Sequence, residues 1–295
     1  MIRRVTIALL AAVAAIAAAD PATPPPEAAI PAGHDGDAIR RGLDIITNTR
    51  TAVPQFAGND LRCANCHLDA GRTPGAAPLW AAWGNFPAWR DKNQRINSFE
   101  KRVQDCFIYS INGAPPPLGG DVLVAVSAYA AWLAQGQRIG VSPPGRGFPA
   151  LAAPALPPDD GRGKALFAEK CASCHGEGGQ GLKDDDTVVN PPLWGPRSFN
   201  WGAGMAQVDR AAAFIRANMP LGNGGTLSAQ QAWDIAWFID GQPRPQDPRF
   251  AGDLAATRAA HHNRPWSRYA TRVAGRILGD PATTPPHHTP PGHDF

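Results

Sequence analysis

The chain has 295 residues, of which 43% are hydrophobic and nine are Trp, and it carries 28 Lys and Arg against 25 Asp and Glu. This length allows one or two domains. The hydrophobic content excludes a disordered chain, and the 31 Gly and 31 Pro exclude coiled coils and long helical repeats. The near balance of charge gives no sign of a nucleic-acid-binding protein, which would carry clustered excess cations.

The N-terminus has the organisation of an export signal. Two arginines precede an apolar run at 5–16, and three alanines follow it as a small-residue cleavage site. The run is shorter than the roughly 20 residues that a membrane span needs. We therefore predict a signal peptide at 1–19, a Pro-rich segment at 20–35, and an exported protein with no membrane span after cleavage. An uncleaved anchor is the alternative.

Residues 36–140 predict the first of two helical domains. A helix is expected at 37–46, and another begins after Ser98, whose hydroxyl suits an N-cap. A third helix is expected with Asp121 as its N-cap, because apolar residues follow at helical spacing as far as Leu133.

Two short cysteine motifs carry the chemistry. Each matches C-x-x-C-H, the attachment signature of c-type haem. In such a motif both thiols bond to one haem, and the histidine is the proximal iron ligand. A redox dithiol or half of a zinc site is the alternative for one motif, but two motifs in an exported chain favour two covalently bound haem c groups. The residues are Cys63, Cys66 and His67 in the first motif, and Cys171, Cys174 and His175 in the second.

The second motif belongs to a second predicted domain at 159–242. Residues 141–158 contain six prolines and predict a semi-rigid linker before it. The order helix, C-x-x-C-H, loops, Met and final helix is that of a class I cytochrome c domain. The attachment cysteines of the two halves are offset by 108 positions, from 63 to 171, which favours a duplicated unit. We therefore predict an all-α, loop-rich fold of two tandem class I cytochrome c domains.

Two helices are expected in this second domain. The first leads into the cysteine motif, with Ala165, Leu166 and Ala168 facing inward. The other opens with a capping box at Ser228 and runs through Asp240. A C-terminal extension at 243–295 follows, with a short helix near 254–261 and a disordered end.

Each haem iron needs a second ligand besides its histidine. For the second haem the candidate is Met219, just before the final helix, and thioether ligation there would suit electron transfer. Met205 is the alternative. The matching position in the first domain is Asn112, which is a poor iron ligand.

Cys106 is the candidate second ligand of the first haem. It is the fifth, unpaired cysteine, and it lies on the apolar face of its helix. A buried, inert thiol is the alternative. Thiolate ligation would lower the potential of the first haem, so electrons would flow from the first haem to the second.

The surroundings of Cys106 are basic. Between residues 62 and 106 there are seven Lys or Arg against four Asp or Glu. Haem propionates and an anionic substrate are the two candidate partners of this charge. Arg102 stands out because it lies one helical turn before Cys106.

Several segments resemble the thiosulfate dehydrogenases. In the first half these are the run from Cys63 to Leu68, Trp83-Gly84-Asn85-Phe86-Pro87, Arg102 to Cys106 and Asn112-Gly113, and in the second half Ala213 to Pro220. The resemblance spans about residues 36–245. It implies a periplasmic diheme enzyme that joins two thiosulfates into tetrathionate. The electrons would pass to a soluble or membrane-linked acceptor, such as another cytochrome or a high-potential iron–sulfur protein.

The resemblance also implies roles for individual residues. The active-site haem would have His67 and Cys106 as ligands, and arginines beside it would hold the substrate. Arg102 matches that role best, with Arg90 and Arg95 as further candidates. Lys92 stands where another arginine is expected, which weakens bidentate anion recognition there. We expect Cys106 to be both an iron ligand and a covalent participant.

Two other functions remain open from the sequence. One is a tandem electron-transfer cytochrome without a substrate of its own, for which Cys106 has no explanation. The other is the haem-bearing A subunit of a sulfur-oxidation cytochrome, which conjugates thiosulfate sulfur to a carrier protein. A complete second haem domain with Met219 disfavours that subunit, because the chain brings its own electron exit.

Overall fold

The computed structural model describes residues 23–185 and 187–285. The predicted signal peptide at 1–19 and the chain end at 286–295 lie outside these residues. Within the described ranges, no helix combines the length and the apolar character needed to cross a bilayer.

The first half is built from helices joined by long loops. Its helices are α1 (His34–Thr47), α2 (Thr49–Ala52), α3 (Leu68–Gly71), α4 (Leu79–Trp83), α5 (Phe99–Tyr109) and α6 (Asp121–Leu133). A short antiparallel hairpin, β1 (Ala88–Arg90) with β2 (Arg95–Asn97), interrupts them and places Trp89 opposite Ile96. The first cysteine motif begins with a turn of 3-10 helix at Cys63–Asn65.

The second half has the same order of a helix, a cysteine motif and later helices. Its elements are α7 (Asp160–Lys170), α8 (Ala172–His175), the hairpin of β3 (Leu182–Asp184) and β4 (Thr187–Asn190), α9 (Val208–Asn218) and α10 (Ala229–Asp240). The C-terminal extension adds α11 (Leu254–His261) and the hairpin of β5 (Arg272–Val273) and β6 (Arg276–Ile277). The structure is therefore helix-rich with small hairpins, and the helix expected near 254–261 is confirmed.

Side-chain caps decide where several helices begin. The Ser98 hydroxyl accepts a hydrogen bond from the backbone N–H of Lys101, and Ser228 forms a capping box with Gln231, as the sequence predicted. The α6 prediction was wrong by one residue, because Gly120 is the N-cap and Asp121 is the first helical residue. A carboxylate in the first turn still stabilises the positive end of the helix dipole.

The α7 helix is rotated relative to the prediction. Ala165 and Ala168, expected to face inward, are exposed, and Leu166 is half-buried. The core is instead contacted by Gly163 and Phe167, and the Phe167 ring packs against two aromatic rings of the second half. A large aromatic ring buries far more apolar area than an alanine does, so Phe167 decides which face turns inward.

A glycine allows close helix crossing in each half. In the first half α1 packs on α6, and a Cβ at Gly42 would lie 2.1 Å from the carbonyl oxygen of Ala125. In the second half α7 packs on α10, and a Cβ at Gly163 would lie 2.1 Å from the carbonyl oxygen of Asp234. No other residue type tolerates such an approach. The shared crossing agrees with the internal repeat suggested by the cysteine spacing.

The halves and the C-terminal extension share their cores. The core of the first half also contains Phe199 and Trp201 from the second half and Tyr269 from the extension. Trp266 of the extension packs against the core of the second half. The amide of Asn200 donates to the carbonyl oxygen of Ile108 at the end of α5. The extension is therefore an integral part of the fold.

Candidate active site

A cavity of about 220 Å³ lies beside the first cysteine motif. Cys63, Cys66, His67 and Cys106 all line it, so the structure brings together four predicted site residues that are up to 43 positions apart. Apolar side chains from α1, α4, α5 and α6 form much of the remaining wall, among them Ile46, Leu79, Phe99, Val103 and Val126.

The His67 ring is oriented by a backbone carbonyl. Its Nδ1 lies 2.6 Å from the carbonyl oxygen of Ala77. A histidine that bonds a carbonyl through one ring nitrogen keeps the other available for a metal. The backbone N–H of Cys63 donates to the Thr49 hydroxyl at 3.1 Å, which anchors the start of the motif to α2.

Cys106 is held beside a guanidinium group. Arg102 Nη1 donates to the Cys106 sulfur at 2.8 Å, because the two residues are one turn apart on α5. Burial alone would raise the pKa of Cys106, but Arg102, His67 and Arg90 more than offset it and lower the pKa to about 6. The thiol is therefore prepared to act as a thiolate at neutral pH.

The other two thiols of the cavity behave in the opposite way. Burial raises the pKa of Cys63 to about 11 and that of Cys66 to about 12. The difference comes from Arg102, His67 and Arg90, which lower the pKa of Cys106. Before any haem is attached, Cys106 is therefore the cysteine of this cavity that ionises most readily.

This set of groups fits a covalently attached haem. The C-x-x-C-H residues supply two thiols and an oriented imidazole, and Cys106 supplies a soft anionic donor in the same cavity. The apolar walls suit a large aromatic macrocycle. His67 belongs to the motif and Cys106 to α5, and each of them could supply one ligand to the iron of a bound haem.

The second cysteine motif has a similar backbone but different neighbours. His175 Nδ1 lies 2.9 Å from the carbonyl oxygen of Pro191, a contact of the same kind as that between His67 and Ala77. Cys174 is exposed. Met219 is the C-cap of α9 and packs against the core of the second half. Met205 packs against the cores of both halves. The residues at this motif also fit a covalently attached haem.

A second cavity, of about 600 Å³, adjoins the first and is strongly cationic. Arg102 lines both cavities and forms their common wall. Six basic side chains face the second cavity, from the β1–β2 hairpin, α5, α9 and the C-terminal extension: Arg90, Lys92, Arg102, Arg210, Arg249 and Arg264. Asp91 is the single carboxylate among its lining residues.

Arg90 and Lys92 are fixed in this wall by specific partners. Arg90 Nε lies 3.7 Å from the buried Asp105 carboxylate, and burial followed by repulsion from Arg102 lowers the pKa of Arg90 to about 10. Lys92 donates to the carbonyl oxygen of Gly202, and its Nζ lies 3.3 Å from the centre of the Tyr109 ring. Burial and then the nearby Arg249 lower the pKa of Lys92 to about 6.

Arg95 has a different position from the other predicted arginines. It lies on β2 directly opposite Arg90, it is exposed, and it lines neither of these two cavities. A substrate-binding role for Arg95 stays a prediction.

Sequence reasoning missed the contribution of the second half and the extension. Arg210, Arg249 and Arg264 lie more than 100 positions after Cys106 in the chain, yet they complete the second cavity. No short motif marks them. The excess of basic residues before Cys106 was the only available signal, and it pointed to the hairpin and α5 alone.

Comparison with known proteins places the chain in a family. It is 50% identical over 258 residues to a thiosulfate dehydrogenase of Thiomonas intermedia, which covers 88% of this chain and 82% of that protein. The chain belongs to the thiosulfate dehydrogenase family. The family described as cytochrome C oxidase, cbb3-type, subunit III, matches residues 158–239, around the second cysteine motif.

Other members and relatives of the thiosulfate dehydrogenase family show the extent of the likeness. The solved thiosulfate dehydrogenase TsdBA of Marichromatium purpuratum is similar with a TM-score of 0.84 and 48% identity. The match covers 88% of this chain, which spans only 57% of that longer chain. A local similarity, 33% over 84 residues and 24% of this chain, links it to the L-cysteine S-thiosulfotransferase subunit SoxA of Hydrogenophilus thermoluteolus.

Proposed function

We propose that this chain is a periplasmic diheme enzyme that oxidises two thiosulfate ions to one tetrathionate ion. Two tandem cytochrome c domains, at 36–140 and 159–242, would each hold one haem c and be joined by the linker at 141–158. Cys63 and Cys66 would attach the first haem, and Cys171 and Cys174 the second. The iron ligands would be His67 and Cys106 in the first domain, and His175 and Met219 in the second. Each bound haem supplies a one-electron redox centre, whose potential thiolate ligation lowers and thioether ligation raises.

One observation carries this proposal: the ionisable Cys106 lies in the same cavity as His67 and directly beside the cationic cavity. A buried, inert cysteine would not need a guanidinium hydrogen bond. An electron carrier without a substrate would need cations only beside its haem propionates, whereas six basic side chains converge on this cavity. An anionic substrate that reacts at sulfur accounts for both features.

The overall reaction fixes what the residues must do. Two thiosulfate dianions give one tetrathionate dianion and two electrons, and no proton is exchanged. A covalent route that balances begins when the Cys106 sulfur bonds to the terminal sulfur of one thiosulfate and gives up two electrons, which the two haems of the proposed enzyme would accept, one each. The terminal sulfur of a second thiosulfate then attacks that sulfur, forming tetrathionate and returning the Cys106 thiolate. Cys106 is therefore the residue that participates covalently.

The basic side chains make this encounter of anions feasible. Two dianions repel each other strongly unless cations lie between or around them. Arg102 is positioned to contact a sulfur-oxyanion next to Cys106, and Arg90, which lies near Asp105, lines the same cationic cavity as Arg102. Preformed guanidinium groups stabilise charge without reorganising during the reaction.

The second half suits electron exit. The cationic cavity adjoins the cavity of the first motif through Arg102, whereas the second motif has an exposed Cys174. A haem attached at the exposed Cys174 would be accessible to an external acceptor, such as another cytochrome or a high-potential iron–sulfur protein.

The test is optical. Oxidised, fully haem-loaded protein is mixed with thiosulfate, the haem absorption is followed, and tetrathionate is quantified. We expect rapid reduction of haem with one tetrathionate formed per two electrons. Absence of reduction, in a sample that dithionite reduces normally, would overturn the proposal.

The local similarity to the SoxA subunit supports a second candidate, transfer of thiosulfate sulfur to a carrier protein. Both functions use a cysteine beside a haem. They are separated by the product: a transferase would form no tetrathionate from thiosulfate alone and would need the carrier for any turnover.

A further inference from the structure

The cationic cavity is larger than a single substrate contact at Cys106 requires. It extends from Arg102 to the end of α11 and has a volume of about 600 Å³, nearly three times that of the cavity beside the cysteine motif. Its inner end is formed by residues of the first half. Its outer end is formed by Arg210 at α9 and by Arg249 and Arg264 of the C-terminal extension.

Two of the three outer cations lack an ion pair in the described part of the chain, whereas Arg249 pairs with Asp247. Among the described residues, the guanidinium groups of Arg210 and Arg264 have no hydrogen-bond or ion-pair partner. The positive charge of Arg210 is destabilised at this place. Desolvation and then the nearby Arg264 lower its pKa, and the neighbouring Asp209 offsets only part of this effect. Two unpaired guanidinium groups held close together are destabilising unless an anion lies between them.

Side-chain contacts within the fold hold this outer end in place. Arg249 makes two hydrogen bonds to the buried Asp247 carboxylate, at 2.9 and 2.6 Å, and its guanidinium lies 5.1 Å from the centre of the Tyr109 ring. The same carboxylate contacts His262 Nε2 at 2.8 Å. These contacts fix the segment that follows α11, and Arg264 lies two residues beyond His262. The outer wall is therefore held in place before any ligand binds.

We propose that Arg210 and Arg264, on the wall fixed by Arg249, form an outer anion site for the sulfonate group farther from Cys106. This inference rests on the proposed function. The inner sulfonate would contact Arg102, and the outer site would hold the second thiosulfate as it approaches or the far end of tetrathionate before release. Tetrathionate carries a sulfonate at each end of a chain of two sulfur atoms, so it is the ligand that engages both ends of the cavity.

The experiment measures binding without turnover. Tetrathionate is titrated by calorimetry into oxidised holoprotein with and without Cys106→Ser, because the protein that carries this substitution has no thiolate at position 106 to displace thiosulfate from tetrathionate. The variants are Arg210→Gln, Arg264→Gln and their combination. Arg276→Gln is the matched control, because Arg276 is an exposed arginine of the same extension that does not line the cavity. KM and kcat for thiosulfate are measured on the same samples.

Each outer substitution should weaken tetrathionate binding about tenfold, the usual scale for loss of one charge-assisted hydrogen bond to an anion. KM for thiosulfate should rise by a similar factor while kcat changes less than about threefold, since neither residue contacts Cys106. Arg276→Gln should bind tetrathionate as the parent protein does.

Several outcomes would overturn the proposal. These are undetectable tetrathionate binding by the parent protein, unchanged binding by the double variant, and an equal loss in Arg276→Gln, which would indicate a general charge effect. Unchanged binding with a shifted haem midpoint potential would assign the arginines to haem propionates instead. If the outer variants lose tetrathionate binding but thiosulfate never reduces the parent protein, the anion site stands and the proposed enzymatic function fails.

Discussion

In the first half of the molecule, the histidine of the C-x-x-C-H motif shares a cavity with Cys106 and Arg102, and a cationic cavity adjoins it. In the second half, the corresponding histidine makes the same kind of bond to a backbone carbonyl, but the motif has an exposed cysteine and a methionine at the end of α9. Both halves use a glycine to bring two helices together.

The comparison separates what attaches a cofactor from what gives it a function. The motif, the carbonyl that orients the histidine and the close helix crossing are common to both halves. The difference lies in the side chains available to each motif: Cys106 and Arg102 in the cavity of the first, and Met219 at the end of α9 in the half that holds the second. A thiolate with a guanidinium partner favours chemistry on an anion, whereas a thioether favours rapid electron transfer. The following predictions remove or alter the side chains that distinguish the two halves.

The largest effect is expected for Cys106→Ser. Loss of the only thiol in the cavity with a pKa near neutrality should lower kcat/KM for thiosulfate by at least about 100-fold, the scale for loss of a covalent participant. The measurement is steady-state oxidation with a chemical acceptor. Normal dithionite reduction of the second haem serves as the folding control, and full turnover by this variant would eliminate Cys106 as a participant.

Met219→Leu removes the thioether proposed for the second half. On the proposed ligation of a second haem by Met219, we expect the potential of that haem to fall and turnover with a protein acceptor to drop roughly tenfold, because loss of a thioether ligand lowers the potential. The first phase of haem reduction by thiosulfate should remain. Met205→Leu is the matched control, since Met205 packs between the cores. A larger fall in potential in Met205→Leu would transfer the ligand role to Met205.

Arg102→Gln should lower the activity of the first half while leaving the Cys106 thiol in place. We expect kcat/KM to fall about 10- to 30-fold, because the variant loses the hydrogen bond to Cys106 and the cation shared by the two cavities. Arg95→Gln is the comparison variant, and its effect should be less than about twofold because exposed charges contribute little. Equal losses in both variants would show that general charge, rather than position, governs substrate binding.

Lys92→Arg should produce the smallest effect, seen in the pH dependence. With a pKa of about 6, Lys92 is mostly neutral at pH 8 and becomes cationic as the pH falls through 6. Anions should therefore bind better at low pH, and KM for thiosulfate should decrease from pH 8 to pH 5.5. An arginine stays charged throughout, so the variant should have a flatter profile and a KM at pH 8 that is lower by roughly threefold.

The matched control for this pH profile is Lys101→Arg, because Lys101 pairs with Asp105 and lies outside the cationic cavity. That variant should keep the slope of the parent protein. An unchanged slope in Lys92→Arg would show that another group causes the pH dependence.

Local sequence signals predicted much of the helical framework. Ser98 and Ser228 cap their helices as expected, since a cap depends on residues within one turn. The face of α7 was not predictable in this way, because Ala165 and Ala168 are compatible with either side. Its rotation is set by Phe167, whose aromatic neighbours lie elsewhere in the chain.

The sequence by itself determined the two attachment motifs, because the spacing of two thiols and a histidine is a local, covalent requirement. It also marked Cys106 and Arg102 as neighbours, since residues four apart share a face of a helix. Only the tertiary structure decided that Arg210, Arg249 and Arg264 join them around one cavity. A charged side chain in sequence carries no information on its distant partners, and long-range packing alone determines whether it faces solvent, a carboxylate or a substrate.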